Sequence, residues 1–150
     1  MDNFSALSSN LTLLVPISAM LGVQIFKFLR SWWGKGVPSV SVLFGTGGMP
    51  SSHSALVTSL ATATGMQYGF TSPFFAISTV LALIVMYDAR GVRQQSGKHA
   101  RILNQIVREL MAEHSISERE LKELLGHTTT EVFVGAIVGI VYTVLLLYRA

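Results

Sequence analysis

Apolar residues run almost without interruption over 11–29, 55–70, 73–87 and 132–148. Runs of this kind predict membrane-spanning helices rather than one-sided surface helices. The second and third are short for a bilayer, and "YGFTSP" between them has the composition of a turn. They gain length from uncharged flanks or sit in locally thinned lipid. Small residues recur in the second run (Ala55, Ser59, Ala61, Ala63, Gly65) and the fourth (Gly135, Ala136, Gly139), as close helix packing in lipid requires. Between the third and fourth runs the pattern changes. Over 98–111, Ile102, Leu103, Ile106, Val107, Leu110 and Met111 share one helical stripe. Lys98, Arg101, Asn104, Gln105 and Arg108 take the other face, so this helix lies on the membrane or against the bundle. Ser117 and Glu120 then form a capping box ahead of Leu121, Leu124 and Leu125, with Gly126 as a stop. The expected fold is an all-α integral membrane protein, one membrane domain over 1–150. It has about four transmembrane helices and one or two amphipathic helices in an insert over 88–126.

Composition strengthens this reading. Half of the 150 residues are hydrophobic and 13% are charged, against about 25% charged in soluble proteins. No Asp, Glu, Lys or Arg occurs over 36–87, and His53 is the one histidine there. The first apolar run follows no Lys or Arg and has no small-residue cleavage site, so it reads as a retained span and not a signal peptide. Ten of the eleven Lys and Arg residues fall after the first run or between the third and fourth; only Arg149 lies elsewhere. Cations in short loops stay on the cytoplasmic side, which puts both termini outside and both long loops inside. A basic surface facing anionic lipid is the alternative source of that bias. Trp32 and Trp33 read as an interfacial aromatic belt. Without cysteine there is no disulfide framework or thiol chemistry, and four scattered histidines do not suggest a zinc cluster.

This topology brings four distant segments to one membrane depth. Lys27 ends the first span, His53 starts the second, Asp88 to Arg93 follow the third, and His127 to Glu131 start the fourth. Ionisable groups at such a place are functional candidates because burying them is costly. In "GHTTTEV", His127 and Glu131 are four apart and share a helix face. The carboxylate then holds one imidazole nitrogen and leaves the other basic, as a nucleophile or general base requires. Thr128 and Glu131 equally satisfy a capping box, which makes His127 a bystander. In "GGMPSSHSA", Ser51 or Ser52 caps the second span. A helix start behind Gly45, Gly47 and Gly48 also suits an anion such as phosphate, with His53 beside it. In "YDARGVR", Arg90 and Arg93 either anchor the span or bind phosphate oxygens, with Asp88 ahead of them. His99 and His114 read as solvated surface residues.

These motifs resemble the type-2 phosphatidic acid phosphatase and vanadium haloperoxidase superfamily, and within it a small divergent membrane branch. "GGMPSSHSA" resembles its Pro-Ser-Gly-His element with Ser52 in place of Gly. "GHTTTEV" resembles its His-x-x-x-Asp element with Glu131 in place of Asp. "YDARGVR" followed by "GKHARILN" resembles the mark of the divergent branch. The resemblance implies that His127 attacks phosphorus to give a phosphohistidine, oriented by Glu131, and that His53 protonates the leaving oxygen. Ser51, Ser52 and nearby amides bind phosphate, Lys27 and Arg93 neutralise it, and Asp88 positions Arg93 or a histidine. Lys35 rivals Lys27, because Gly34 stands where the first element has arginine. Glu120-Leu121 replaces the Ser-Arg expected ahead of the nucleophile.

The expected function is a metal-independent, cofactor-free phosphatase acting on a lipid phosphomonoester of the phosphatidate or phosphatidylglycerophosphate type. A polyprenyl diphosphate is the alternative substrate, and a non-catalytic protein that retains the scaffold is the alternative class. The expected partners are the bilayer and the lipid phosphate, with no nucleic acid and with a homo-oligomer left open. The expected location is the plasma membrane, with the active site facing the cytoplasm.

Overall fold

Four of the long helices begin where the chain supplies a side-chain acceptor for amides that have no carbonyl of their own helix to bond. A computed structural model describes residues 3–35, 48–111 and 127–149. Among the described residues the elements are helices, in the order α1 (Asn3–Ser8), α2 (Leu11–Lys35), α3 (Ser52–Tyr68), α4 (Pro73–Arg90), α5 (Val92–Met111) and α6 (Thr129–Tyr148). Asn10 Oδ1 accepts from the Leu13 amide at the start of α2 (3.2 Å). Ser51 caps α3 and Ser72 caps α4, where Pro73 opens the helix. Thr128 caps α6. The expected helix near Ser117 to Gly126 and the glycines Gly45 and Gly47 lie outside the described residues.

The chain is the all-α membrane protein its apolar runs predict, with one correction to the span count. Among the described residues, three helices are long and apolar enough to cross a bilayer: 11–33, 73–90 and 129–148. The fourth expected span is α3, whose 17 residues reach about 26 Å at 1.5 Å per residue, short of a core of about 30 Å. It runs from Ser52 to Tyr68 instead of 55–70, because Ser51 starts the helix earlier than the apolar run does. Its composition suits a different position. α3 packs against α2, α4 and α6 together, and most of its serines, threonines and alanines are buried.

Small and hydroxylated residues make this central position workable. Ser59 Oγ and Thr143 Oγ1 share a hydrogen bond of 2.6 Å between α3 and α6. Thr64 and Ser78 do the same between α3 and α4 at 2.7 Å. Thr58 Oγ1 donates to the Ala136 carbonyl at 3.1 Å, and Tyr142 donates to Ser18 at 3.0 Å between α6 and α2. A Cβ at Gly139 would strike the Ala55 carbonyl and the Thr58 hydroxyl, so glycine there sets how closely α3 and α6 approach. Large side chains such as Ile77, Leu83, Phe133 and Ile137 face outward, as helices solvated by lipid require.

Candidate active site

At one end of the bundle the C-terminus of α4 meets the N-termini of α3 and α6, and α2 passes alongside at Lys27, eight residues before it ends at Lys35. Two backbone bonds tie the ends together: the His127 amide donates to the Ala89 carbonyl, and the Ser51 amide donates to the Glu131 carbonyl, both at 3.0 Å. Gly135 lies one turn beyond Glu131, and a Cβ there would meet the Ser51 carbonyl oxygen. Glycine at that position therefore lets α6 press against the start of α3.

His127 is 3% exposed. Its Nδ1 lies 3.1 Å from Glu131 Oε2, and the same oxygen accepts from the Thr128 amide at 3.1 Å. Thr128 Oγ1 in turn accepts from the Glu131 amide at 3.3 Å. The two readings of this motif are thus not exclusive: one carboxylate oxygen closes the capping box and binds the imidazole. Because a carboxylate only accepts, Nδ1 carries a proton, and in the neutral ring Nε2 then presents its lone pair. Nε2 is buried and has no hydrogen-bond partner among the described residues. Leaving such an atom unpaired costs on the order of 1–3 kcal/mol.

His53, half-buried in the first turn of α3, faces His127 with ring centroids 6.3 Å apart and planes tilted by 57°. Ser51 is fully buried, and its hydroxyl accepts from the Ser54 amide (3.3 Å). Ser51, not Ser52, is therefore the cap. Ser52 is the first helical residue and is also buried. Lys27 is buried too, with its stem beside Gly48: a Cβ there would lie 3.7 Å from Lys27 Cδ. The Glu131 carboxylate acts on the Lys27 ammonium electrostatically. Lys27, Ser51, Ser52, His53, His127 and Glu131 thus occupy one end of the molecule.

The "YDARGVR" element divides. Asp88 sits on the last turn of α4, not beyond it, and lines a shallow recess with Leu83, Ile84 and Tyr87. Its neighbour Ala89 supplies the carbonyl that holds His127. Sequence reasoning missed Ala89, since a backbone acceptor leaves no trace in side-chain identity. Arg93 lies in the first turn of α5; its side chain, like that of Lys35, falls outside the described residues. Among the described residues no group of three or more His, Asp or Glu gathers as a metal site would need.

The sequence profile of the Divergent PAP2 family matches residues 8–142. The chain belongs to that family. The divergent PAP2 assignment brings a phosphatase-like scaffold, and the matched region takes in α2, α3, α4, α5 and the site end of α6. The chain is also 37% identical over 153 residues to the "Uncharacterized membrane protein YuiD" of Bacillus subtilis (strain 168), covering 95% of this chain and 97% of that protein. No solved structure matches.

Proposed function

We propose that this divergent PAP2 protein is a metal-independent lipid phosphate phosphatase working through a phosphohistidine. The single observation that carries the reading is the state of His127, with Nδ1 bound to Glu131 while Nε2 is unpaired and turned from the carboxylate, His53 standing 6.3 Å away. His127 Nε2 attacks phosphorus, the P–N bond forms, and the bond to the lipid oxygen breaks. His53 gives that oxygen its proton. Water then attacks the phosphohistidine with His53 as base, releasing inorganic phosphate and restoring both imidazoles. Lys27, Arg93 and the amides at the start of α3 offset the charge on the phosphoryl oxygens, the work a metal ion performs elsewhere. Ser51 and Ser52 shape that cradle, and Asp88 steadies the α4–α5 corner next to it. Phosphatidate and phosphatidylglycerophosphate fit this chemistry, reached sideways from the cytoplasmic leaflet of the plasma membrane. A polyprenyl diphosphate is the next candidate.

Purified protein in detergent should release phosphate from phosphatidate-type lipids with EDTA present. His127→Ala should abolish that release. Activity that survives the substitution, or that EDTA alone removes, would overturn the mechanism. A second reading, a non-catalytic protein that keeps the scaffold, is favoured by Glu120-Leu121 where the superfamily has Ser-Arg. Vanadate separates the two, since this transition-state mimic binds tightly only to an intact site.

A further inference from the structure

The helix that follows α4 displays three distinct faces. Gly97, Ala100 and Asn104, spaced three and four apart, are buried. Ile102, Leu103, Ile106 and Val107 form an adjoining stripe that stays exposed, from 40% at Val107 to 55% at Ile102. Lys98, Arg101 and Arg108 occupy the third face, also exposed. Sequence periodicity allowed the apolar stripe to pack on the bundle. In the structure the face of Gly97, Ala100 and Asn104 is buried instead, and the large aliphatic side chains are left exposed.

We propose that α5 is a membrane-interface helix whose Ile102–Leu103–Ile106–Val107 stripe is buried among the acyl chains of an anionic leaflet, with its basic face at the lipid headgroups. Its depth supports this occupant. α4 is long and apolar enough to span, it ends at Arg90, and α5 starts at Val92, so α5 leaves the bundle at the bilayer edge. The last two turns of α4 add Leu83, Ile84 and Tyr87, all exposed, as a further apolar face shortly before α5 begins. Charge favours lipid over a second copy. The exposed basic face carries Lys98, Arg101 and Arg108, and the sequence of α5 from Lys98 on holds one acid, Glu109, so paired copies bring like charges together while anionic headgroups neutralise them. The stripe, the apolar end of α4 and the cations describe one lipid-facing corner, and the inference does not depend on turnover.

The chain has no cysteine, so single spin labels are readily placed. The full chain carrying Lys98→Cys, Ile102→Cys or Ile106→Cys is reconstituted in vesicles of phosphatidylcholine with phosphatidylglycerol, and in phosphatidylcholine alone. Accessibility to oxygen, which concentrates in the acyl region, is compared with accessibility to a water-soluble nickel chelate. The oxygen-to-nickel ratio should be several-fold higher at 102 and 106 than at 98, and should fall without phosphatidylglycerol. Nickel reaching 102 and 106 as readily as 98 would place the stripe in water and overturn the proposal. Exclusion of both reagents from 102 and 106 would mean a protein cover, such as a second copy, and overturn it equally. A ratio indifferent to phosphatidylglycerol would overturn the anionic assignment.

Discussion

Glu131 Oε2 stands between two donors, the Thr128 amide and His127 Nδ1, each at 3.1 Å, and substitutions can separate its two duties. Glutamine also serves in capping boxes, so Glu131→Gln should leave thermal stability in detergent nearly unchanged. It removes the charge that fixes the His127 tautomer and stabilises imidazolium, so turnover should fall on the order of 10²-fold or more. Equal losses of stability and turnover would instead make Glu131 a structural cap. Thr128→Val is the complementary test. It removes the hydroxyl that caps the Glu131 amide and should cost about 1 kcal/mol of stability, while Thr128→Ser should restore it. Nitrogen chemical shifts of His127 would report the tautomer directly, independent of any substrate.

Helix packing is decided at positions where a methyl group is too much. At Gly135 an added Cβ meets the Ser51 carbonyl, so Gly135→Ala should destabilise the bundle by roughly 1–3 kcal/mol, the usual cost of overpacking. It should lower turnover as well, because the same contact sets the start of α3 beside His53. Gly22 is the control: nothing lies within 4 Å of a Cβ there. Gly22→Ala in the exposed interior of α2 should be stabilising by up to about 1 kcal/mol through helix propensity. Thermal unfolding of both variants in one detergent checks the pair. A Gly135→Ala protein as stable as the parent would show that α3 and α6 do not approach as described. The capping residues of α3 and α6 were legible in sequence because a cap is a local event. Ser51 rather than Ser52 took the role at α3 because the Ser51 amide is drawn to the Glu131 carbonyl, a contact made by a helix far along the chain.

Across the whole molecule, the ends of α3 test which way the bundle sits in the membrane. Met49 and Tyr68 are both exposed and lie at opposite ends of this helix. With the site facing the cytoplasm, a membrane-impermeant maleimide should label Tyr68→Cys in intact cells and Met49→Cys only in inverted vesicles. The reverse pattern would turn the site outward and exclude a cytoplasmic substrate. The sequence by itself determined the helical class, the apolar helices and the end of the bundle where Lys27, His53, His127 and Glu131 collect. Those follow from hydrophobic run length, local caps and the place of charge relative to a bilayer, all properties of consecutive residues. Only the tertiary structure decided that α3 is a buried central helix instead of a fourth lipid-facing span. It alone showed that the Ala89 carbonyl holds His127, and that one Glu131 oxygen serves both cap and imidazole. Such outcomes depend on how closely helix backbones approach one another, and a backbone carbonyl or an interhelical gap has no letter of its own in the chain.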